Sequence, residues 1–302
     1  MISENLYSEI QAAGLRMKTF RIGHLKEIST DFERLAEQGL LDKDFYRNNL
    51  TEFNYECEKE LDGAKSVIMI AAPQGISLAE FNHEGRSFTA AIPPTYMYPK
   101  VNNLIADILD RTLREKGFSF ARAVLPLKLL AVRSGLGRYG RNNVCYVPGL
   151  GSFVRLSAYI TDCEFEEDSW GGVKAMESCS SCTACMDNCP TGAIVRERFL
   201  VHAQNCITNF NEYAEPIPGW ISPGWHDSIV GCMKCQAACP HNSKLLGQVE
   251  ERIRFDREET GLILAGKSFD SLPEATRDKI VHMGMDSYYD VLPRNICLLR
   301  HS

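Results

Sequence analysis

The chain has 302 residues, 44% of them hydrophobic, which is enough to bury a full core in about two structural units. Its formal net charge is −6, without the basic excess typical of free-standing nucleic-acid-binding proteins, so we do not expect nucleic acid to be a partner. No apolar run reaches the length of a membrane span, and residues 1–5 do not begin a signal peptide. We therefore expect a cytoplasmic protein with no membrane partner.

The first 60 residues are predicted to be mostly helical, because apolar side chains recur there at helical spacing. In the first helix Leu6, Ile10 and Ala13 share a face, and Gly14 ends the pattern. The charged residues between the helices are predicted to face solvent. The inward face of a second helix is predicted to consist of Phe32, Leu35, Ala36 and Leu40.

Strands and helices are predicted to follow one another after this segment, which is the pattern of an α/β domain. The continuous apolar run 66–73 predicts a buried strand, and a loop rich in aromatic residues and proline comes next. The remaining elements are predicted at 101–116 (helix), 118–124 (strand), 127–134 (helix) and 153–161 (strand). The inward side chains of the first of these helices are predicted to be Leu104, Ile105, Ile108 and Leu113.

Eight of the twelve cysteines, in two runs and one outlying position, have the spacing of a double iron–sulfur protein. The first run, which Pro190 follows, consists of Cys179, Cys182, Cys185 and Cys189. The second run, which Pro240 follows and the outlying Cys206 precedes, consists of Cys232, Cys235 and Cys239. Two-residue gaps let three thiolates converge on one 4Fe-4S cube from a tight loop, so the fourth ligand must come from elsewhere in the chain.

The two runs predict two complementary sets of cluster ligands, because in two-cluster ferredoxins the cysteine before proline serves the other cluster. The first cluster is assigned Cys179, Cys182, Cys185 and Cys239. The second cluster is assigned Cys232, Cys235, Cys189 and Cys206. Zinc sites usually take two CxxC pairs or include histidine, and disulfides need an oxidising compartment, so two 4Fe-4S clusters are the preferred interpretation. The isolated cysteines are predicted to be buried structural thiols: Cys57, Cys145, Cys163 and Cys297.

A glycine-rich segment, Gly135-x-Gly137-x-x-Gly140, precedes the cysteine runs. Its pattern is a weak dinucleotide signal, because the glycines follow a predicted helix instead of a buried strand and no helix clearly starts at Gly140. We expect these glycines to bring the backbone close to a large ligand, with N–H groups free to donate hydrogen bonds to it.

Together the glycine loop and the cysteine runs resemble the epoxyqueuosine reductases, cobalamin-dependent enzymes related to reductive dehalogenases. The matching stretches are 131–137, 140–142, 151–162, 179–193, 205–207 and 231–242. They cover most of residues 65–243 in the order found in that family. The resemblance implies an α/β fold in which a nitroreductase-like domain binds cobalamin and a ferredoxin-like unit delivers electrons to cobalt. It also agrees with Cys206 as the fourth ligand of the second cluster.

The resemblance implies three segments along the chain. Residues 1–171 would be an α/β corrinoid-binding domain with a helical N-terminal part, residues 172–243 the double 4Fe-4S domain, and residues 244–302 a C-terminal helical segment. The candidate corrinoid-binding residues are Arg133, Gly135, Gly137, Arg141 and Asn142. The candidate proton donors are Tyr96 and Tyr98, in the proline-rich loop where the family places its substrate, although such tyrosines are more often packing residues.

The chain departs from the family's pattern at three places. The stretch 120–128, where the family has its catalytic aspartate, contains no carboxylate. The family's Asp-Tyr-His motif is replaced by residues 97–99, of which only Tyr98 matches. The chain also ends where a helical-repeat domain that helps to bind tRNA would begin. We therefore interpret it as a short form that keeps the redox machinery without the tRNA substrate.

The leading hypothesis is an oxidoreductase that passes low-potential electrons from two 4Fe-4S clusters to a bound cobalamin, in order to reduce a small substrate or a corrinoid. It would require an external low-potential electron donor of the ferredoxin or flavodoxin type, and a small-molecule substrate or a corrinoid protein as its partner. Two alternatives stay open, an electron-transfer ferredoxin-type protein without corrinoid and an epoxyqueuosine reductase in tRNA modification.

Overall fold

A computed structural model describes residues 2–57, 59–97 and 99–300, and in it the chain divides into two compact units. Unit 1 comprises Met1–Pro73, Val101–Cys182 and Arg198–His202. Unit 2 comprises Gln74–Lys100, Thr183–Glu197 and Ala203–Ser302. Both units contain helices and strands, so the predicted α/β class is confirmed.

The described residues contain strands and α-helices of very different lengths, joined by short 3₁₀ turns. The strands are β1 (Arg16–Arg21), β2 (Ser66–Pro73), β3 (Ile76–His83), β4 (Arg86–Ile92), β5 (Phe120–Arg122), β6 (Arg138–Tyr139), β7 (Cys145–Tyr146), β8 (Val154–Thr161) and β9 (Val249–Phe255). The helices are α1 (Ile2–Ala12), α2 (Leu25–Glu37), α3 (Lys43–Asn49), α4 (Pro99–Thr112), α5 (Leu127–Arg133), α6 (Ala184–Asp187), α7 (Ile207–Glu212), α8 (Lys234–Ala237), α9 (Arg257–Leu264), α10 (Glu274–His282) and α11 (Leu292–Leu299).

Unit 1 is built on an antiparallel sheet in the order β1-β2-β8-β5. Strand β2 lies in its middle and is buried on both faces, which explains its uninterrupted apolar sequence. Alternate side chains of β2 enter two separate cores. Val67 and Met69 pack with α5 and the glycine loop, whereas Ile68 and Ile70 pack with α1 and α4. The glycine loop is thereby anchored to the centre of the sheet.

Unit 2 contains a three-stranded sheet in the order β4-β3-β9, in which β3 pairs antiparallel with β4 and parallel with β9. A tight turn at Glu84 and Gly85, with φ angles of 51° and 75°, closes the β3–β4 hairpin. Helices α9, α10 and α11 cover the sheet through a core that includes Phe81 stacked on Phe255, with ring centroids 5.0 Å apart.

This sheet corrects two predictions. The sequence analysis has only a loop after Pro73, where β3 and β4 form, and it has only helices after residue 244, where β9 comes first. Because β9 pairs with β3, residues 74–100 group with the C-terminal part of the chain instead of with the predicted 1–171 segment.

The predicted helix faces are correct in part. In α4 the buried residues include Ile105 and Ile108, but Leu104 is 41% exposed, and Leu109 takes its place in the core. In α2 the buried residues are Leu25 and Ile28, one turn earlier than predicted. Among the described residues, none of the helices combines the length and the apolar character that crossing a bilayer requires.

Candidate iron–sulfur and cofactor sites

None of the twelve cysteines forms a disulfide in the described part of the chain, and their exposure separates them by type. The eight cysteines of the two runs are half-buried. Cys57, Cys145 and Cys163 are buried, as predicted, and burial raises the pKa of Cys57 to about 11 and that of Cys145 to about 12. Such thiols are poor nucleophiles and metal ligands. Cys297 is exposed, because it lies on the solvent side of α11, so the prediction that it is buried is wrong.

The residues assigned to the second cluster all belong to unit 2: Cys189, Cys206, Cys232 and Cys235. Cys232 is largely enclosed, and its pKa is raised by burial first, then by the Asp227 carboxylate and the thiols of Cys206 and Cys235. The backbone N–H of Lys234 donates a hydrogen bond to the Cys232 sulfur and opposes this rise. Three of the four predicted ligands therefore lie close enough to interact electrostatically.

Two short helices each contain one cysteine of a run. Helix α6 contains Cys185 and helix α8 contains Cys235, and the two helices pack against each other within unit 2. After α8 the chain turns at Cys239, whose N–H donates to the Gln236 carbonyl at 3.2 Å. The Asn242 side chain also donates to the Gln236 carbonyl, at 2.9 Å. Cys239 therefore lies in a turn that closes directly after α8, and its assignment to the other cluster stays a prediction.

The ligands assigned to the first cluster are divided between the units. Cys179 and Cys182 belong to unit 1, and Cys185 and Cys239 belong to unit 2. No group of three or more His, Cys, Asp or Glu side chains in the described part of the chain is arranged to hold a single metal ion. A 4Fe-4S cluster makes a different demand, because each of its four thiolates binds a different iron.

The chain around Cys179 is fixed to the glycine loop within unit 1. The Tyr139 N–H donates to the Lys174 carbonyl at 2.9 Å, and the Met176 N–H donates to the Tyr139 carbonyl at 2.8 Å. The Arg141 guanidinium donates to the Cys179 carbonyl at 2.8 Å. The loop that the sequence analysis assigns to a corrinoid therefore supports the start of the first cysteine run.

The backbone donors of the glycine loop are not free, contrary to expectation. The N–H of Gly135 donates to the Val132 carbonyl at 3.1 Å, and that of Gly137 donates to the Ala131 carbonyl at 3.0 Å. The N–H of Gly140 donates to the Val144 carbonyl at 2.9 Å. All three donors are satisfied inside the loop, because the chain tightens into a turn after α5 and then pairs β6 with β7.

Close packing within the loop accounts for two of its glycines. A Cβ built on Gly137 would lie 2.5 Å from the Cys145 Sγ and 2.9 Å from the Tyr146 carbonyl oxygen. A Cβ on Gly140 would lie 2.5 Å from the Tyr146 ring. Gly135 is different, since it has a φ of 74° and open space above its Cα, so only its backbone conformation favours glycine.

The polar side chains proposed for the corrinoid also have protein partners. Arg133 forms ion pairs with Glu27 and with Asp31, the latter at 3.2 Å, and its guanidinium lies 4.8 Å from the centre of the Trp170 ring. Asn142 is 7% exposed and donates to the Tyr146 hydroxyl at 3.1 Å. Both side chains are therefore engaged within the protein.

A cavity of about 270 Å³ in unit 1 is lined by residues that include Gly135 and Leu136 and, from β1, Arg16 and Met17. Pockets for drug-sized ligands span roughly 300–1,000 Å³, and a corrinoid is larger than such ligands. This cavity therefore does not fit a corrinoid.

Tyr96 is 8% exposed in unit 2, and its hydroxyl donates a hydrogen bond to the Glu212 carboxylate. Burial, followed by the charge of Glu212, raises its pKa well above the ordinary value. Its ring packs edge-on to Tyr288, with centroids 5.5 Å apart. This environment is that of a packing residue. Tyr98, the other candidate proton donor, lies outside the described residues.

The sequence analysis missed Asn143, which has a φ of 53°. Its side-chain amide donates to the Phe199 carbonyl at 2.9 Å and accepts from the Val201 N–H at 2.7 Å. One side chain thereby fixes the segment that connects the two cysteine runs. The available signal was the pair Asn142-Asn143 after a glycine, since asparagine tolerates the left-handed conformation and bonds to nearby backbone.

The fold and the cysteine runs together define an iron–sulfur protein. Residues 178–242 match the family described as the 4Fe-4S double cluster binding domain, which confirms the predicted double-cluster domain.

The chain is similar to the epoxyqueuosine reductases, as the sequence analysis predicts. The enzyme of Bacillus subtilis (strain 168) is 35% identical over 136 residues, which are 45% of this chain and 32% of that protein. The enzyme of Leadbetterella byssophila is 28% identical over 233 residues, 72% of each chain. The chain thus spans about a third of the first of these relatives and nearly three quarters of the second.

Solved structures of epoxyqueuosine reductases share the fold. The structure from Streptococcus thermophilus aligns with a TM-score of 0.65 at 18% identity and covers 99% of this chain and 80% of that one. A structure of an epoxyqueuosine reductase with an epoxyqueuosine-modified tRNA stem loop aligns with a TM-score of 0.67 at 20% identity, over 99% and 80% of the two chains. The predicted resemblance in fold is therefore confirmed.

The tRNA-bound relative corrects the prediction about partners. The expectation that nucleic acid is not a partner is wrong, because a protein of this fold holds a tRNA stem loop. The net charge of −6 misled the prediction, since it sums over the whole surface and says nothing about charge at the binding site.

Proposed function

We propose that this chain is an iron–sulfur reductase that acts on epoxyqueuosine in tRNA. The observation that carries the proposal is the union of a double 4Fe-4S domain with a fold that matches a tRNA-bound epoxyqueuosine reductase over 99% of the chain. This favours the tRNA-modifying alternative over the small-molecule reaction that the sequence analysis prefers. A tRNA substrate would also place the protein in the cytoplasm.

The proposed reaction is consistent with two clusters that each transfer one electron. Removal of an epoxide oxygen as water consumes two electrons and two protons, and two 4Fe-4S clusters carry electrons at sufficiently low potential. We assign the first cluster to Cys179, Cys182, Cys185 and Cys239, and the second to Cys189, Cys206, Cys232 and Cys235. Electrons would reach them from an external low-potential donor of the ferredoxin or flavodoxin type.

Cobalamin is the acceptor that the family resemblance implies, and it would supply a low-potential metal centre next to the substrate. Four of the five residues first assigned to it have polar groups that are engaged within the protein. Arg133 and Asn142 are held by protein partners, and the N–H groups of Gly135 and Gly137 are used inside the loop. Cobalamin binding is therefore proposed from the resemblance alone, and the catalytic proton is not assigned to Tyr96, which is enclosed by protein.

Complementation of a bacterial strain that accumulates epoxyqueuosine tests the proposal. Expression of the chain should convert epoxyqueuosine in the tRNA of that strain to queuosine, as measured by mass spectrometry of tRNA nucleosides. Expression of Cys232→Ser, which removes a ligand of the second cluster, should leave epoxyqueuosine unconverted. Unconverted epoxyqueuosine with the intact, cluster-loaded chain would refute the proposal. The absence of a carboxylate from stretch 120–128 would then account for the missing activity.

A separate measurement tests the cofactor. Cobalamin added to the anaerobically reconstituted protein should change its visible absorption in a saturable manner. Reconstituted protein that converts epoxyqueuosine without any cobalt would refute the cobalamin proposal and leave the proposed reaction intact.

A further inference from the structure

The Arg141 side chain donates a hydrogen bond from one nitrogen and has another nitrogen without a hydrogen-bond partner among the described residues. A terminal nitrogen of its guanidinium donates to the Cys179 carbonyl at 2.8 Å. Its Nε is buried and has no hydrogen-bond partner among the described residues. This buried donor is therefore available to an acceptor that the described residues do not supply.

The surroundings of Arg141 hold it at the first cysteine of the run. The backbone of Tyr139 pairs with Lys174 and Met176, three residues before Cys179. The neighbouring Arg138 side chain forms an ion pair with Glu177, two residues before Cys179, at 3.2 Å. The backbone on both sides of the Arg141–Cys179 hydrogen bond is therefore held in place by this pairing.

A comparison with Arg133 shows what Arg141 lacks. Arg133 has two carboxylate partners, Glu27 and Asp31. Within the described residues Arg141 has no carboxylate partner and bonds to a neutral carbonyl. Its positive charge is therefore available to an anion at Cys179. A 4Fe-4S cluster with four thiolate ligands is such an anion, and its sulfurs accept hydrogen bonds.

We propose that the Arg141 Nε–H donates a hydrogen bond to a sulfur of the cluster that Cys179 binds, and that this bond raises the reduction potential of that cluster. Reduction adds negative charge to the cluster, so a cationic donor stabilises the reduced form more than the oxidised form. Arg141 is then a positioning and tuning residue, and it does not touch the substrate. The proposal rests on Cys179 as a cluster ligand and is independent of the tRNA substrate.

Redox titration of the anaerobically reconstituted protein, followed by electron paramagnetic resonance, tests this proposal. In Arg141→Met the iron of both clusters should be retained, and one midpoint potential should move to a more negative value. We expect the reduced-to-oxidised ratio of that cluster to fall about tenfold at the wild-type midpoint, which corresponds to 59 mV for a one-electron couple. The affected signal should be the one that Cys179→Ser also alters.

Two further variants keep the test decisive. Arg138→Met removes a neighbouring cation, whose side chain is 49% exposed, and should leave both midpoints unchanged. Arg141→Lys keeps the charge without the Nε–H and should shift the midpoint potential of the same cluster to a more negative value, but by less than Arg141→Met does. If Arg141→Met loses iron, the midpoint of Arg141→Lys serves as the test. Unchanged midpoints in iron-replete Arg141 variants would overturn the proposal. It would also be overturned by weaker cobalamin binding with unchanged cluster signals, which would assign Arg141 to the corrinoid.

Discussion

Gly137 packs directly against the thiol of Cys145, so closely that a Cβ at position 137 would lie 2.5 Å from Sγ. The second obstacle, the Tyr146 carbonyl at 2.9 Å, is backbone and cannot rotate away. Gly137→Ala should therefore lower the free energy of unfolding by about 1–3 kcal/mol, the usual cost of overpacking. Chemical denaturation followed by circular dichroism measures this loss.

The matched control for Gly137→Ala is Gly172→Ala, because no atom lies within 4 Å of a Cβ at position 172 and no positive φ is required there. The control should be close to neutral. Equal stability of the two variants would show that the loop opens easily, and the close packing would not explain its glycines.

Exchange of ligands between the two cysteine runs gives a second prediction. Cys239→Ser should damage the cluster whose other ligands are Cys179, Cys182 and Cys185, because the cysteine before proline serves the opposite cluster. Cys206→Ser should damage the other cluster. The two variants should lose different signals in electron paramagnetic resonance and about half of the iron each. Loss of the same signal from both would contradict the assignment.

A third prediction separates structural and catalytic roles for Tyr96. Tyr96→Phe removes the hydrogen bond to the half-buried Glu212 carboxylate and should cost about 1–3 kcal/mol of stability, because a hydrogen bond to a charged acceptor is lost. Gly231→Ala should cost at least as much, since its Cβ would lie 2.6 Å from the Tyr96 hydroxyl at a φ of 74°. Turnover per loaded cluster should be unchanged in Tyr96→Phe. Lost turnover with unchanged stability would make Tyr96 a catalytic group.

Acid stability provides a fourth prediction, centred on Glu27. Its pKa is lowered from the ordinary value of 4.5 by hydrogen bonds from Trp170 first and His24 second. A lowered pKa means that the charged carboxylate stabilises the fold above pH 4.5, and that this contribution is lost as the pH falls through the folded-state pKa. Glu27→Gln should therefore destabilise the protein at pH 7 by less than about 1 kcal/mol, since the side chain is half exposed.

The pH dependence of that difference is the test. The stability gap between wild type and Glu27→Gln should stay level from pH 7 to about pH 5 and shrink as the pH is lowered further through the folded-state pKa, as measured by urea denaturation of the cluster-free protein. A gap that stays constant would show that the contribution of Glu27 does not depend on its charge.

The elements predicted correctly are those in which the pattern of apolar residues in the sequence matches the pattern of buried residues in the structure. Strand β2 is enclosed on both faces, so it appears as an uninterrupted apolar run. Strand β3 was missed because the residues on its buried face include Ser77 and Ala79, which contribute little to hydrophobic alternation. Strand β9 was missed because only Ile253 and Phe255 of its seven residues are buried.

The candidate sites also divide into those that the sequence pattern indicates and those that it does not. Cysteine spacing is a local property that a cluster imposes on the chain, so both runs were recognisable from the sequence. The role of a glycine at 137 depends on a side chain eight residues later, and that of Arg141 depends on a carbonyl in the cysteine run. Such pairings arise from the tertiary fold, and neither spacing nor residue type reveals them.

The parallel pairing of β3 with β9 has a consequence for synthesis on the ribosome. Glu80 and Arg254, which form an ion pair across these strands, are 174 residues apart in the chain. At 5–20 residues per second, the β3–β4 hairpin emerges roughly 10–35 s before the strand that completes its sheet. During this interval Phe81 has no Phe255 to stack on, and one edge of the hairpin is unpaired. The nascent chain therefore carries an aggregation-prone edge that early chaperone binding would protect.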